Sequence, residues 1–253
     1  MRSSAMRLAI VGLAAAAIGA GGAQAAEIKV LCSNGLREVL SELRPDFEKA
    51  SGHKLVVTYG LAAAFKQQID AGERFDVAVL TPALLDEVIK QGKVLGDSRA
   101  IIARAGIGLA IRAGAPRPDI ASADAFKRTL LGAKSIAYAK AGQSGVYFAG
   151  LLTRLGIADA MKPKSRQEAT GVQVGEAVAK GESELGVLPI SEILPVKGVE
   201  LLGPFPADVR SYVVMAAGVS AAAGDRKAAS DLVKFLQAPA HAPMIKAKAM
   251  EPG

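Results

Sequence analysis

The stretch Lys54–Leu80, KLVVTYGLAAAFKQQIDAGERFDVAVL, decides the fold class. Lys54 to Tyr59 is a β-branched run that reads as a strand. Ala62 to Ala71 reads as a helix and stops at Gly72. Phe75 to Leu80 is again strand-like. Working outward, Glu27 to Cys32 is a preceding strand. Leu36, Val39, Leu40, Leu43 and Phe47 follow it at helical spacing, with Asn34 placed as the N-cap and Pro45 expected to kink or restart the helix. Pro82 to Gln91 is a helix opened by Thr81-Pro82, with proline at its first position. The order β-α-β-α-β-α predicts an α/β protein with a mostly parallel sheet and helices on both faces.

A second series continues the alternation. Strands are expected at Ile107–Ile111, Ser135–Tyr138, Leu185–Leu188, Val199–Leu202 and Ser211–Val219. Helices are expected at Ser122–Leu131, Gly145–Leu155, Val172–Lys180, Asp225–Leu236 and Ala240–Lys248. No repeat or low-complexity linker separates the two series. Two lobes joined by short connections fit this better than two tethered domains.

The N-terminus reads as an export signal. Arg2 and Arg7 precede the uncharged apolar stretch Leu8–Ala20, and Ala23-Gln24-Ala25 is a small-residue cleavage site, so cleavage is expected after Ala25. The stretch is shorter than the ~20 residues of a membrane span. The expected location is the periplasm.

Composition narrows function. Hydrophobic residues make up 51% and charged residues 22%, which is globular and excludes a disordered chain. Aromatics are 4% with no Trp, which argues against sites built on stacked rings. Cys32 is the single cysteine, so a disulfide framework and a multi-Cys metal site are excluded. Only His53 and His241 are present, and no metal or other cofactor is expected. The net charge is +7, and removal of the leader leaves 29 basic against 24 acidic side chains. The basic residues are scattered, so no nucleic-acid partner is expected.

Catalytic patterns are poor. No G-x-S-x-G elbow or phosphate-binding G-x-x-x-x-G-K-[ST] loop occurs. Neither histidine has a nucleophile partner legible in sequence. Cys32 reads as a buried strand residue, and Asp70, Asp76, Glu182 and Glu184 as surface charges.

Open α/β sheets bind ligands beyond the carboxyl ends of their strands, where loops lead into helix N-termini that favour anions. The loops here are Ser33-Asn34-Gly35, Tyr59-Gly60-Leu61-Ala62, Ala141-Gly142-Gln143-Ser144-Gly145 and Thr170-Gly171. The same residue types also serve ordinary βα turns. Ser33, Asn34, Gly35, Gly60, Leu61, Ala62, Ser144, Gly145, Gly171 and Val172 are the candidate ligand-binding residues.

Several segments together resemble the periplasmic molybdate-binding proteins of ABC importers. They are Ser33-Asn34-Gly35 after the first strand, Phe65-Lys66-Gln67-Gln68-Ile69-Asp70-Ala71-Gly72 followed by Phe75-Asp76-Val77, Val178-Ala179-Lys180-Gly181-Glu182 with Gly186-Val187, the closing Phe235-Leu236, and Met250-Glu251-Pro252. The resemblance spans the mature chain. It implies a type II periplasmic binding protein fold, with two α/β lobes closing around a solute. The lobes would be 26–106 plus 215–253, and 107–214. The first crossing is implied near Gly106–Ile111 and the return near Val209–Ser220. It further implies a membrane permease as partner, a monomer, and no enzymatic activity.

Carried over by residue, the family's first loop serine falls near Gly35, beside Ser33 and Asn34. Its second serine falls on Ala62. Its backbone amide contacts fall near Ser144 and near Gly171 or Val172, and its tyrosine falls on Pro189. Ala62 and Pro189 lack the hydroxyl donors, which points to a divergent member. Such a member binds another small anion, such as an organic acid, or holds a molybdate-like oxyanion by other donors. A secreted enzyme and a periplasmic sensor domain are the alternative readings on this scaffold.

Overall fold

The computed structural model describes residues 25–253. The leader reading of 1–25 therefore lies, except for Ala25, outside the described residues. The strands and helices follow in the order β1 (Glu27–Ser33), α1 (Arg37–Ser51), β2 (Lys54–Gly60), α2 (Ala62–Asp70), β3 (Val77–Leu80), α3 (Pro82–Lys90) and β4 (Ala100–Arg112). Next come α4 (Ala123–Gly132), β5 (Ile136–Ala139), α5 (Gln143–Arg154), α6 (Ala158–Met161), β6 (Ser165–Glu168), α7 (Gly171–Ala179), β7 (Leu185–Pro189) and α8 (Ile190–Ile193). The chain ends with β8 (Val199–Pro204), β9 (Tyr212–Val219), α9 (Arg226–Leu236), α10 (Ala242–Ala247) and β10 (Met250–Pro252).

The strands join in the order β2-β1-β3-β9-β4-β7-β5-β6, with β8 and β10 also paired to β4. Strands β2, β1 and β3 are parallel, as are β7, β5 and β6. The centre is not. Both β9 and β4 run antiparallel to their neighbours, so the sheet is mixed rather than mostly parallel. The reason is connectivity: β9 enters from β8 in the other half of the molecule, not over a helix within its own half. The antiparallel β4 serves both halves. Its residues up to Gly106 pair with β9 and β10, and those from Ile107 onward pair with β7 and β8.

Alternation along the strands sends side chains to two helical layers. In the first half, Ile28, Val30, Cys32, Val77 and Val79 pack toward α1 and α9. Leu31, Ala78 and Leu80 pack toward Phe65, Ile69, Leu85 and Val88 of α2 and α3. Phe47 of α1 meets Phe235 of α9 edge-on at 5.3 Å, an arrangement that adds about 0.5–1.5 kcal/mol beyond burial. In the second half, Phe126 packs on Phe205 at 4.7 Å and Tyr138 on Phe148 at 5.3 Å.

Several local expectations are corrected. Asn34 does not cap α1. It opens a 3-10 turn, Asn34–Leu36, and α1 begins at Arg37. Pro45 does not restart the helix, which runs unbroken from Arg37 to Ser51. Pro45 and Ser41 are both exposed, so the carbonyl that loses its donor faces water. The expected helix at Ala240 is a 3-10 turn over Pro239–His241 followed by α10. Elements α6, β6, α8 and β10 carry no periodic signal, because each has only three or four residues.

Two contacts generate tests. Glu48 joins the end of α1 to β2. It accepts the Leu55 N–H at 2.9 Å and pairs with Lys54 and Arg44. The Leu55 amide, then Lys54 and Arg44, hold its carboxyl down at about 2. The stabilisation is therefore present at neutral pH and is lost as pH falls from about 4.5 towards about 2. Glu48→Gln should lower the melting temperature at about pH 7, and its difference from the parent should shrink by about pH 3. Gly145 lies where α5 crosses β5, and a Cβ there would overlap the Ala139 carbonyl oxygen. Gly145→Ala should cost about 1–3 kcal/mol in urea unfolding.

Candidate functional site

A cavity of about 550 Å³ opens between the two halves at the carboxyl ends of β1, β3, β5 and β7. The first half contributes Ser33, Asn34 and Gly35, then Leu61, Ala62 and Ala63, then Thr81 to Leu84. The second contributes Ala139, Ala141 to Ser144, Val146, Gly171, Leu188, Pro189 and Glu192. Val213, Val214 and Met215 of β9 form the floor. The first turns of α2, α3, α5 and α7 thus meet at one place from opposite sides.

Three of the helix ends at the cavity contrast with those of α4 and α9. Ser122 caps α4 by accepting the Ala125 N–H at 3.2 Å, and Asp225 caps α9 by accepting the Ala228 N–H at 2.9 Å. At the cavity, Leu61, Thr81 and Gly142 precede α2, α3 and α5 and make no side-chain cap. Only α7 keeps a capping box, between Thr170 and Gln173. The first-turn N–H groups of α2, α3 and α5 therefore face the cavity with no side-chain acceptor, and three helix dipoles add positive potential there. Among the described residues, no Lys, Arg or His lines the cavity.

Seven candidate residues line it: Ser33, Asn34, Gly35, Leu61, Ala62, Ser144 and Gly171. Gly60, Gly145 and Val172 do not. Gly60 backs onto the Phe65 ring, Gly145 seats α5 on β5, and the Val172 side chain is exposed. Asn34 receives a hydrogen bond on Oδ1 from Arg37 Nη2 at 3.0 Å, which leaves its amino group as the donor. Arg37 itself stacks 4.3 Å from the centre of the Tyr59 ring and is held behind Asn34.

Sequence reasoning missed Thr81 and Glu192. Thr81-Pro82 follows the carboxyl end of β3, so the rule that selected the other loops could have selected it. Glu192 had no such signal, because it sits in the four-residue helix α8. Among the described residues it is the one ionisable side chain lining the cavity. A Cβ on Gly171 would overlap Glu192 Oε2, and one on Gly35 would lie 3.8 Å from Oε1. The carboxyl thus spans the gap between the loops of the two halves. Burial pushes it up to about 7, against the lowering field of Arg37. The neighbouring Ser191 hydroxyl reaches the Gly35 carbonyl at 3.5 Å.

The other chemistry-bearing residues are engaged structurally. Cys32 is fully buried, and burial pushes its thiol far up, which suppresses the reactive thiolate. His53 Nδ1 accepts the Ala26 N–H at 3.1 Å, and His241 packs on Phe235. Among the described residues, no group of three or more His, Cys, Asp or Glu is placed to hold a metal. Nor is any described helix long and apolar enough to cross a membrane.

Comparison with known proteins agrees with this geometry. The profile of the bacterial extracellular solute-binding protein family matches residues 28–251. An aconitate isomerase from a Pseudomonas species is 31% identical over 231 residues, covering 89% of this chain and 87% of that protein. The molybdate-binding protein ModA of Azotobacter vinelandii is 29% identical over 241 residues, covering 91% of this chain and 94% of that protein. A solved structure of a periplasmic molybdate-binding protein from Azotobacter vinelandii superposes with a TM-score of 0.76 at 20% identity, over 89% of this chain and 99% of that one. The chain belongs to the bacterial extracellular solute-binding protein family, as a divergent relative of the molybdate-binding proteins with the type II periplasmic binding protein fold.

Proposed function

We propose that this chain is the periplasmic receptor of an ABC importer and captures a small organic acid as its anion. Export would be followed by cleavage after Ala25. Lobes 26–106 plus 215–253, and 107–214, would close on the solute as a monomer and present it to an inner-membrane permease. The observation that carries this reading is the convergence of uncapped helix N-termini from both halves on one cavity that, among the described residues, has no basic side chain. Neutral donors and helix ends bind an anion without a salt bridge, and so leave it free to be released.

The wall chemistry favours a carbon-bearing anion over a bare oxyanion. Leu61, Ala62, Ala63, Pro82, Ala139, Leu188 and Pro189 are apolar. An oxyanion set against Ala62 and Pro189 would lose hydrogen bonds at roughly 1–3 kcal/mol each. A carboxylic acid sets its oxygens at the helix ends and its hydrocarbon on these walls. A relative is named for aconitate, which is such an acid.

A second reading is an enzyme on the same scaffold. Glu192 favours it, because its carboxyl, pushed up to about 7, suits proton transfer at neutral pH. An isomerase in this role would take a proton from one carbon of an unsaturated acid and return one at another.

Melting the signal-less protein with trans-aconitate, fumarate, molybdate, tungstate and sulfate tests capture. A carboxylate at a hundred times its Kd should stabilise by about 2.7 kcal/mol and raise the melting temperature by roughly 5–10 °C. A shift with molybdate alone would overturn the organic-acid assignment, and no shift with any anion would overturn capture. Proton NMR of cis-aconitate in D2O with the protein tests the second reading, which requires turnover and deuterium incorporation.

A further inference from the structure

We propose that Glu192 touches the captured anion as a neutral carboxyl group and donates a hydrogen bond to it, so that the solute is taken up together with one proton. The proposal rests on the anion-capture reading and assigns a donor that reading does not contain.

The geometry carries it. The Glu192 side chain lines the cavity at the corner of β7 and α8, the corner that also bears Pro189. Its oxygens reach toward the backbones of Gly35 and Gly171, and the missing Cβ atoms there make the room. Among the described residues nothing donates a hydrogen bond to it. An acid in that place meets the solute.

Its neighbours decide its form. The 3-10 turn Asn34–Leu36, β7 and the first turn of α7 carry no ionisable side chain. On the other packed elements, Arg104 of β4 pairs with Glu251, Glu200 of β8 with Arg117, and Glu176 of α7 with Lys180. Arg112 of β4 lies beside Gly181, and Tyr212 of β9 lies beneath Arg104. The field of Arg37 reaches Glu192, but Arg37 is held by Asn34 and Tyr59. An ionised Glu192 would therefore face a bound anion with no cation between them. Like charges at that separation repel, whereas a protonated carboxyl supplies an O–H donor to the same oxygen. Burial already moves the group to about 7, so holding a proton near neutrality is within its range. Glu192 would thereby replace the hydroxyl that Pro189 cannot offer.

Calorimetric titration of trans-aconitate and of fumarate into the parent protein and Glu192→Gln tests this. Runs at about pH 6.5 and about pH 8.5, in two buffers of different ionisation heat, count the protons taken up. The parent should lose affinity by about tenfold per pH unit above its Glu192 midpoint, and should take up close to one proton more than the variant at the higher pH. Glu192→Gln, whose amide donates in the same place, should bind with an affinity that varies little over that range. The variant should fold, because it removes the cost of ionising a buried carboxyl. That cost grows as pH rises through about 7, so its melting temperature should match or exceed the parent's at alkaline pH. Equal pH dependence and equal proton uptake in the two proteins would overturn the proposal. So would tighter parent binding at high pH, which would mean an ionised Glu192 gripping a hydroxyl or amino group. If neither protein binds either acid at any pH, the capture reading falls first and this proposal with it.

Discussion

Strand β4 is the constraint on which the rest of the molecule depends. Its first residues pair with β9 and β10, and its last with β7 and β8, with register shifts at Ile101–Ala103 and Leu109–Ala110. Because a strand's register sets which side chains face which layer, β4 places both halves at once. The gap between them is what remains when β1 and β3 end on one side of this strand and β5 and β7 on the other. The C-terminal β10 binds the same strand, with Met250 opposite Ala105, and so fastens the chain end near the point where β4 changes partners.

The site then follows from what each strand leads into. At the cavity, strands hand over to helices whose preceding residues are Leu61, Thr81 and Gly142, none of which caps its helix. Away from the cavity, α4 and α9 are capped by Ser122 and Asp225, whereas α1, α6 and α10 start without a side-chain cap. The uncapped starts of α2, α3 and α5 place unused donors where a solute can reach them. Among the described residues Glu192 is the one ionisable exception on an otherwise neutral lining, and its corner also carries Pro189. A donor that exists only when protonated gives such a site a dependence on pH that helix dipoles alone do not provide.

Much of this was legible in order, less in place. Lys54–Leu80 reads as strand, helix and strand because β-branched runs, a helical stretch and Gly72 punctuate it, and the structure has β2, α2 and β3 there. The loops that the strand-end rule singled out include seven residues that line the cavity. Gly60 and Gly145 were selected by the same rule, and a side chain at either would meet the Phe65 ring or the Ala139 carbonyl. Residues before Ile107 in β4 gave no separate strand signal, and β10 is too short to give one. Glu192 was invisible, because one glutamate in a helical turn of four residues looks like any surface charge.

The sequence by itself determined the alternation of strands and helices, the lack of an intrachain disulfide, and the loops that follow the strands' carboxyl ends. These depend on side-chain period, residue type and glycine placement, all of which are local. Only the tertiary structure decided that β9 and β4 run antiparallel through the centre, that four helix ends share one cavity, and that Glu192 lies between Gly35 and Gly171. Those facts join residues more than a hundred positions apart, such as Ser191 and the Gly35 carbonyl. No local pattern encodes such a distance, because it is set by how the packed layers meet around β4.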